Sequence, residues 1–135
     1  MGSWDVGSFD NDTAVDWSYG LEEADDLRYV EAALDRVVVH GSKEDLPAEA
    51  GECAIAAAEV VARLGRKGGE ESAYSETADA WVRAHPIVPP PALLTKAIAA
   101  LDRVTAPPSE LRELWRESDL DGWLDAVAQL KRRLT

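Results

Sequence analysis

The apolar residues of this chain recur at intervals of three and four, and this spacing constrains its fold more than any other feature. Leu27, Val30, Leu34 and Val37 form one such stripe. Because an α-helix turns once every 3.6 residues, a stripe of this kind lies along one helical face. No segment alternates apolar and polar residues for long, so we expect little or no sheet. The pattern predicts an all-α fold, a compact bundle of six or seven short amphipathic helices.

Prolines, glycines and capping residues divide this pattern into segments. Gly41 suits the left-handed position after the second helix, and Asp45 is a candidate cap for the third. Pro91 can open a later helix, and Ser109 can cap another. The third helix is rich in alanine between residues 48 and 62. Small side chains let neighbouring helices come close, so we expect this helix at the centre of the bundle.

An aromatic signature precedes the first helix and enters it. Its residues are Trp4, Gly7, Phe9, Asp10, Asn11, Asp12 and Trp17. We expect Asp10 to cap the helix, because its carboxylate can accept hydrogen bonds from the first free amides. Gly7 permits a backbone angle or a close approach that a side chain would forbid. The signature predicts an aromatic N-terminal segment packed on the bundle, with Trp4 and Trp17 directed inward.

Length and composition favour one cytoplasmic domain. A chain of 135 residues is the usual size of a single domain, here residues 1–135. Cys53 is the single cysteine, so no intrachain disulfide forms. The N-terminus has neither the basic nor the apolar region of a secretory signal, and no apolar run approaches the ~20 residues of a membrane-spanning helix.

The negative charge is concentrated in the first part of the chain. Residues 1–52 contain 14 acidic and three basic residues, whereas residues 53–135 contain 12 acidic and 11 basic residues. Such a surface repels phosphate backbones and anionic bilayers, which argues against nucleic acid and membrane as partners. A basic protein is the complementary partner. The candidate partner-binding residues are Glu22, Glu23, Asp25, Asp26, Glu31 and Asp35. In the alternative interpretation, these acids only solvate one face.

No catalytic or metal-binding pattern stands out. Asp10, Asn11, Asp12 and Asp16 offer oxygen ligands, but they lack the spacing of a calcium loop with its central glycine and final glutamate. Helix capping explains this cluster more simply. Cys53 lies on an apolar helical face, where an inert thiol is expected. The two histidines lack zinc-motif spacing. We therefore expect no enzyme activity, no cofactor and no bound metal.

The N-terminal sequence from Gly2 to Ala14 resembles the signature of a family of small bacterial proteins known only as a domain of unknown function. Members typically begin with Met-Gly and continue with Trp-Gly-x-Gly-x-Phe-Asp-Asn-Asp-x-Ala. Asp5 stands where the family usually has glycine. The run from Pro108 to Trp115 is similar to a second family feature, Pro-Ser-Glu-Leu-x-Glu-Leu-Trp. The resemblance implies a shared fold unit and brings no established activity.

Three hypotheses for the function remain open. The leading one is a non-enzymatic protein-binding module whose acidic first half docks on a basic protein, as an immunity protein or antitoxin neutralises a basic toxin domain. The second is a metal-dependent enzyme that uses the N-terminal carboxylates. The third is a scaffold that self-associates through an exposed tryptophan face.

Overall fold

Helices make up most of this protein, which confirms the predicted all-α bundle. The computed structural model describes residues 5–67, 69 and 71–135. Its helices are α1 (Asp12–Leu21), α2 (Arg28–Val38), α3 (Ala48–Leu64), α4 (Glu76–Ala84), α5 (Pro91–Thr105), α6 (Glu110–Arg116) and α7 (Leu120–Arg133). Extended pairing within the described residues is confined to isolated bridges such as that between Leu46 and Ser109.

The alanine-rich helix α3 lies at the centre of the bundle, as predicted. It contacts each of the other helices, and all of its residues from Ala54 to Ala62 are buried. The approach is close, since a Cβ added to Gly51 would lie 3.2 Å from the Val104 side chain and 3.3 Å from that of Leu111. Because neighbours surround α3, a polar side chain in its buried stretch must find its partners inside the protein.

Two helices begin as the sequence predicts. Pro91 is the first residue of α5, where its missing amide hydrogen costs nothing. The Ser109 hydroxyl caps α6 by accepting a hydrogen bond from the Arg112 amide at 3.4 Å. None of the helices described combines the length and the apolar composition that crossing a bilayer requires.

Two other predicted helix ends are wrong. Gly41 is not left-handed, because α2 already ends in a right-handed turn at Val39 and no described glycine has a positive φ. Asp45 does not cap α3. The carboxylate of Glu110 takes that role from α6, and its Oε1 accepts a hydrogen bond from the Ala48 amide at 2.7 Å. A partner from a distant helix thus replaces the local cap.

Tryptophan side chains pack between the helices and join them. The four that the structure describes, Trp17, Trp81, Trp115 and Trp123, are buried in one hydrophobic cluster. Trp115 and Trp123 stack with their ring centroids 6.5 Å apart and join α6 to α7. Trp81 donates from Nε1 to the Ala24 carbonyl at 2.9 Å. None of these four provides the exposed aromatic face that the scaffold hypothesis requires.

Candidate functional site

A carboxylate buried in α3 is the centre of an ionic cluster. Glu59 is 2% exposed, within the otherwise apolar part of the helix. Arg133 of α7 donates from Nη1 to its Oε1 at 2.7 Å and from Nη2 to its Oε2 at 2.8 Å. Arg63, one turn along α3, donates from Nε to Oε1 at 3.2 Å. A buried carboxylate is tolerated only when its charge and its hydrogen bonds are compensated, and two guanidinium groups do both here.

A second buried carboxylate extends the cluster to α4. Asp79 binds Nη1 of Arg63 through one oxygen, and its Oδ2 accepts a hydrogen bond from the Ser75 hydroxyl at 2.7 Å. Ser75 precedes α4, but its hydroxyl forms no capping hydrogen bond with an amide of that helix. We call Glu59, Arg63, Asp79 and Arg133 the ionic cluster. It pairs two carboxylates with two guanidinium groups and joins three helices.

The segment before α1 is attached to the ionic cluster at two points. The Ser8 hydroxyl donates to Oε2 of Glu59 at 2.9 Å. The ring of Phe9 is buried, and the guanidinium carbon of Arg63 lies 5.6 Å from its centroid, in cation–π contact. In the loop after α3, the Gly69 amide donates to Oε1 of Glu59 at 3.4 Å. The cluster therefore holds both segments against the bundle.

The surroundings of Glu59 favour its ionised form. Burial alone would raise the pKa of this carboxyl, but the hydrogen bond and charge of Arg133, with the charge of Arg63 and the Ser8 hydroxyl, outweigh burial. The pKa of Glu59 is therefore held below its ordinary value. A carboxyl with such a pKa remains a charged acceptor at neutral pH, which suits an electrostatic role.

A cleft of about 540 Å³ opens beside the ionic cluster. Helix α7 lines it with Ala126, Gln129 and Arg133, which share a helical face because they are spaced by three and four residues. The N-terminal segment lines it with Asp5 and Asp10, among other residues. This volume lies in the range of small-molecule sites, and the lining carries both signs of charge.

Asn11 caps α1, which corrects the prediction for Asp10. The Asn11 Oδ1 accepts a hydrogen bond from the Ala14 amide at 2.7 Å. The Asp10 carboxylate instead accepts from the Gly7 amide at 3.1 Å, and the Asp10 amide donates to the Gly7 carbonyl at 3.1 Å. A Cβ added to Gly7 would collide with that carboxylate, so the predicted close approach at Gly7 is confirmed.

Trp17 is directed inward, as predicted. The residue is 8% exposed, and its ring stacks on Tyr29 with the centroids 5.1 Å apart. The Tyr29 hydroxyl donates to the Trp17 carbonyl at 2.6 Å, so this pair joins α1 to α2. Asp12 is exposed in the first turn of α1, where a negative charge is favourable. The prediction for Trp4 lies outside the described residues.

Four of the predicted partner-binding acids lie together between α1 and α2. Glu22, Glu23 and Asp25 are exposed, and we call the stretch from Glu22 to Asp26 the acidic joint. Asp26 is the exception within it, because Nε of Arg28 binds its carboxylate at 2.9 Å. The amide of Arg28 also donates to this carboxylate, and its hydrogen bond helps to lower the pKa of Asp26.

The other two predicted acids lie on α2 and share a basic partner. Nζ of Lys96, on α5, binds Glu31 at 2.7 Å and Asp35 at 2.8 Å. The hydrogen bonds that Lys96 donates to Asp35 and Glu31 raise the pKa of its ammonium group. One ammonium group thus offsets part of the negative charge of this pair. The structure therefore divides the predicted surface into an acidic joint and a partly neutralised patch on α2.

The structure adds two observations on metals and thiols. In the part of the chain that it describes, no group of three or more histidine, cysteine, aspartate or glutamate side chains could hold a metal ion. Cys53 is half-buried, and burial raises the pKa of its thiol to about 11. Very little thiolate forms at neutral pH when the pKa is raised in this way.

Sequence reasoning misses the ionic cluster, although one signal is present. Glu59 and Arg63 interrupt the alanine-rich stretch at a spacing of four residues, in a helix that the composition places at the centre. Both therefore need buried partners. Arg133 carries no such signal, because a basic residue in the last turn of a helix is explained by the helix dipole. Only the folded structure shows that Arg133 contacts Glu59.

A family profile matches nearly the whole chain, whereas no curated protein and no solved structure matches it. The profile covers residues 2–126 and is described as Domain of unknown function (DUF4259). The match begins ahead of the N-terminal segment that binds Glu59 and ends within α7, before Arg133. On this match, the chain belongs to the DUF4259 family.

Proposed function

We propose that this protein is a non-enzymatic, cytoplasmic protein-binding module that docks on a basic protein, as an immunity protein or antitoxin neutralises a basic toxin domain. The observation that carries the proposal is the acidic joint. Glu22, Glu23 and Asp25 are exposed there, and no described basic side chain forms an ion pair with them. Unpaired, exposed acids attract a basic surface and accelerate its association.

The adjacent face of α1 supports a specific contact as well as attraction. Asp12, Asp16 and Tyr19 are exposed and spaced by four and three residues, so they share the outward face of the helix. Tyr19 is 56% exposed. Tyrosine is enriched at the energetic centres of interfaces, because it buries a large apolar ring and keeps a polar hydroxyl. We call these three residues and the acidic joint the docking face.

The acids of α2 contribute less in this proposal. Glu31 and Asp35 already hold Lys96, and a partner's basic side chain would have to compete with that ammonium group. A charge that is already paired adds little to binding, since the existing pair must first be broken. The docking face is therefore centred on α1 and the acidic joint.

Affinity capture followed by calorimetry tests this proposal. The tagged protein is incubated with extract of its native cell, and the captured proteins are identified and then purified. We expect a basic protein that binds stoichiometrically in calorimetry, with an affinity that falls as salt is added. The triple charge reversal Glu22→Lys, Glu23→Lys, Asp25→Lys should abolish capture of that protein.

A matched variant controls for overall charge. Glu117, Asp121 and Asp125 are exposed acids on the α6–α7 side of the molecule, and replacing all three with lysine changes the net charge equally. This variant should retain most of the binding. Equal losses in both variants would mean that only net charge matters, and the docking face would be refuted. Binding that is indifferent to salt, or to the reversal at the acidic joint, would refute it as well.

A further inference from the structure

Arg133 uses only one of its two hydrogen-bonding edges in the ionic cluster. A guanidinium group offers a fork formed by Nη1 and Nη2, and a second fork formed by Nε and Nη2. Glu59 occupies the first fork, and the remaining hydrogen of Nη1 goes to the Lys67 carbonyl at 3.2 Å. The second fork has no acceptor among the described residues. The side chain is 27% exposed and lines the cleft.

The guanidinium group of Arg133 is held in place before any ligand arrives. Glu59 fixes it through two hydrogen bonds, and Gly69 lies so close that an added Cβ would be 3.2 Å from its atoms. A fixed fork binds a planar, two-oxygen group with little loss of side-chain entropy. Of the groups common in small metabolites, a carboxylate has this shape.

Other residues of α7 complete this wall of the cleft. Gln129 precedes Arg133 by four residues and shares its helical face, and its amide has no partner among the described residues. Ala126 is small and leaves room beside them. The wall thus combines a charged fork, an amide donor and open space, which together suit a carboxylate ligand.

The N-terminal wall of the cleft carries the opposite charge. Asp5 is exposed, and both Asp5 and Asp10 line the cleft. A ligand with only a carboxylate would be repelled by these acids and by the net charge of −12. A ligand with only an ammonium group would leave the fork of Arg133 empty. A zwitterion places its carboxylate on Arg133 and its ammonium group near the acids of the N-terminal wall.

We propose that this cleft binds a free α-amino acid, whose carboxylate lies on the Nε–Nη2 edge of Arg133 and whose ammonium group lies toward Asp5. The cleft of about 540 Å³ accommodates an amino acid with a side chain. The proposal is independent of the docking face, because it involves different residues. Either can fail while the other stands.

Nuclear magnetic resonance titration of the full chain tests this binding. The probes are the standard L-amino acids one by one, acetate as the carboxylate alone, and methylammonium as the ammonium group alone. We expect saturable shifts at the Gly69 amide, the Gln129 side-chain amide and Nε of Arg133 with at least one amino acid. Its affinity should exceed that of acetate by about tenfold, because both charges are then engaged. Shifts with no amino acid, or acetate binding as tightly, would overturn the proposal.

Variants decide whether the second fork of Arg133 is responsible. Arg133→Lys keeps the charge beside Glu59 but removes the planar fork, so affinity should fall by about tenfold or more. Arg132→Lys, an exposed neighbour, is the matched control and should bind like the original protein. Gln129→Ala lies outside the ionic cluster and should weaken binding several-fold even if Arg133→Lys folds poorly. Unchanged affinity in Gln129→Ala and Arg133→Lys would exclude this site.

Discussion

The ionic cluster and the acidic joint contain the same carboxylate chemistry in opposite environments. Glu59 is buried, binds two guanidinium groups and has a lowered pKa. Glu22 and Glu23 are exposed and have no described basic partner. In the first region, solvent exclusion makes each charge depend on its partner for stability. In the second, water screens the charges, so they contribute little to stability and remain available to another molecule.

Removing the central carboxylate of the ionic cluster should have the largest effect. Glu59→Gln leaves Arg133 without a counter-charge and Arg63 with Asp79 alone. Breaking a buried ion pair in this way costs about 3 kcal/mol of unfolding free energy. Urea unfolding followed by circular dichroism measures the loss. Glu49→Gln on the same helix is the control, since its pair with Arg36 is exposed and should change stability by less than about 0.5 kcal/mol. Similar losses of unfolding free energy in both variants would contradict the conclusion that buried charges depend on their partners more than exposed charges do.

Low pH should reduce the stabilisation of the folded protein by ionised Glu59. Its pKa in the folded protein lies below its ordinary value of 4.5, so the stabilisation is fully present above that value. It is lost as the pH falls through 4.5 and then through the lowered pKa. The difference in unfolding free energy between the original protein and Glu59→Gln should therefore be constant near neutral pH and narrow in acid. A difference that is constant down to strong acid would show that this carboxylate does not stabilise as an anion.

Lys96, Glu31 and Asp35 are an intermediate case, because their charges are paired as in the ionic cluster but are partly exposed to solvent. Lys96→Met removes the shared partner of Glu31 and Asp35 while it keeps the aliphatic part of the side chain. We expect only a small decrease in the urea midpoint, because solvent screens the two carboxylates that remain. Added salt should reduce this decrease further. A loss of stability as large as that of Glu59→Gln would mean that burial does not determine how much an ion pair stabilises this protein.

The smallest effect on stability should come from the acidic joint. Replacing Glu22, Glu23 and Asp25 with lysine should leave the urea midpoint unchanged or raise it, because it reduces repulsion in a chain with a net charge of −12. The same variant should lose binding to a basic protein if the proposed docking face is correct. Thermal unfolding and calorimetry measure the two properties separately. A clear drop in stability would assign the acidic joint a structural role.

The features that the sequence predicts correctly are local ones. Pro91 opens α5 and Ser109 caps α6 because their effects depend on residues within one turn. The alanine-rich composition places α3 at the centre because small residues affect packing directly. Even local reasoning fails at Asp10, where two good capping residues are adjacent. The turn back to Gly7 occupies the Asp10 carboxylate and leaves the cap to Asn11.

The ionic cluster depends on contacts that no local pattern encodes. Ser8 is 51 residues from Glu59 in sequence, and Arg133 is 74 residues away. Their meeting requires the packing of several helices at once, so it cannot be inferred from spacing. The cleft depends on the fold in the same way, since its walls come from the two ends of the described chain, from α3 and from the residues between α3 and α4.

The attachment of both end regions to Glu59 also bears on the order of folding. Contacts between distant residues require closure of long loops, which is entropically costly, whereas helices and neighbouring pairs such as α2 and α3 form early. We therefore expect the hydrogen bonds of Ser8 and Arg133 to Glu59 to form after the rate-limiting step. Substitution of Glu59 would then accelerate unfolding and leave the folding rate nearly unchanged, so this carboxylate would set the lifetime of the native state.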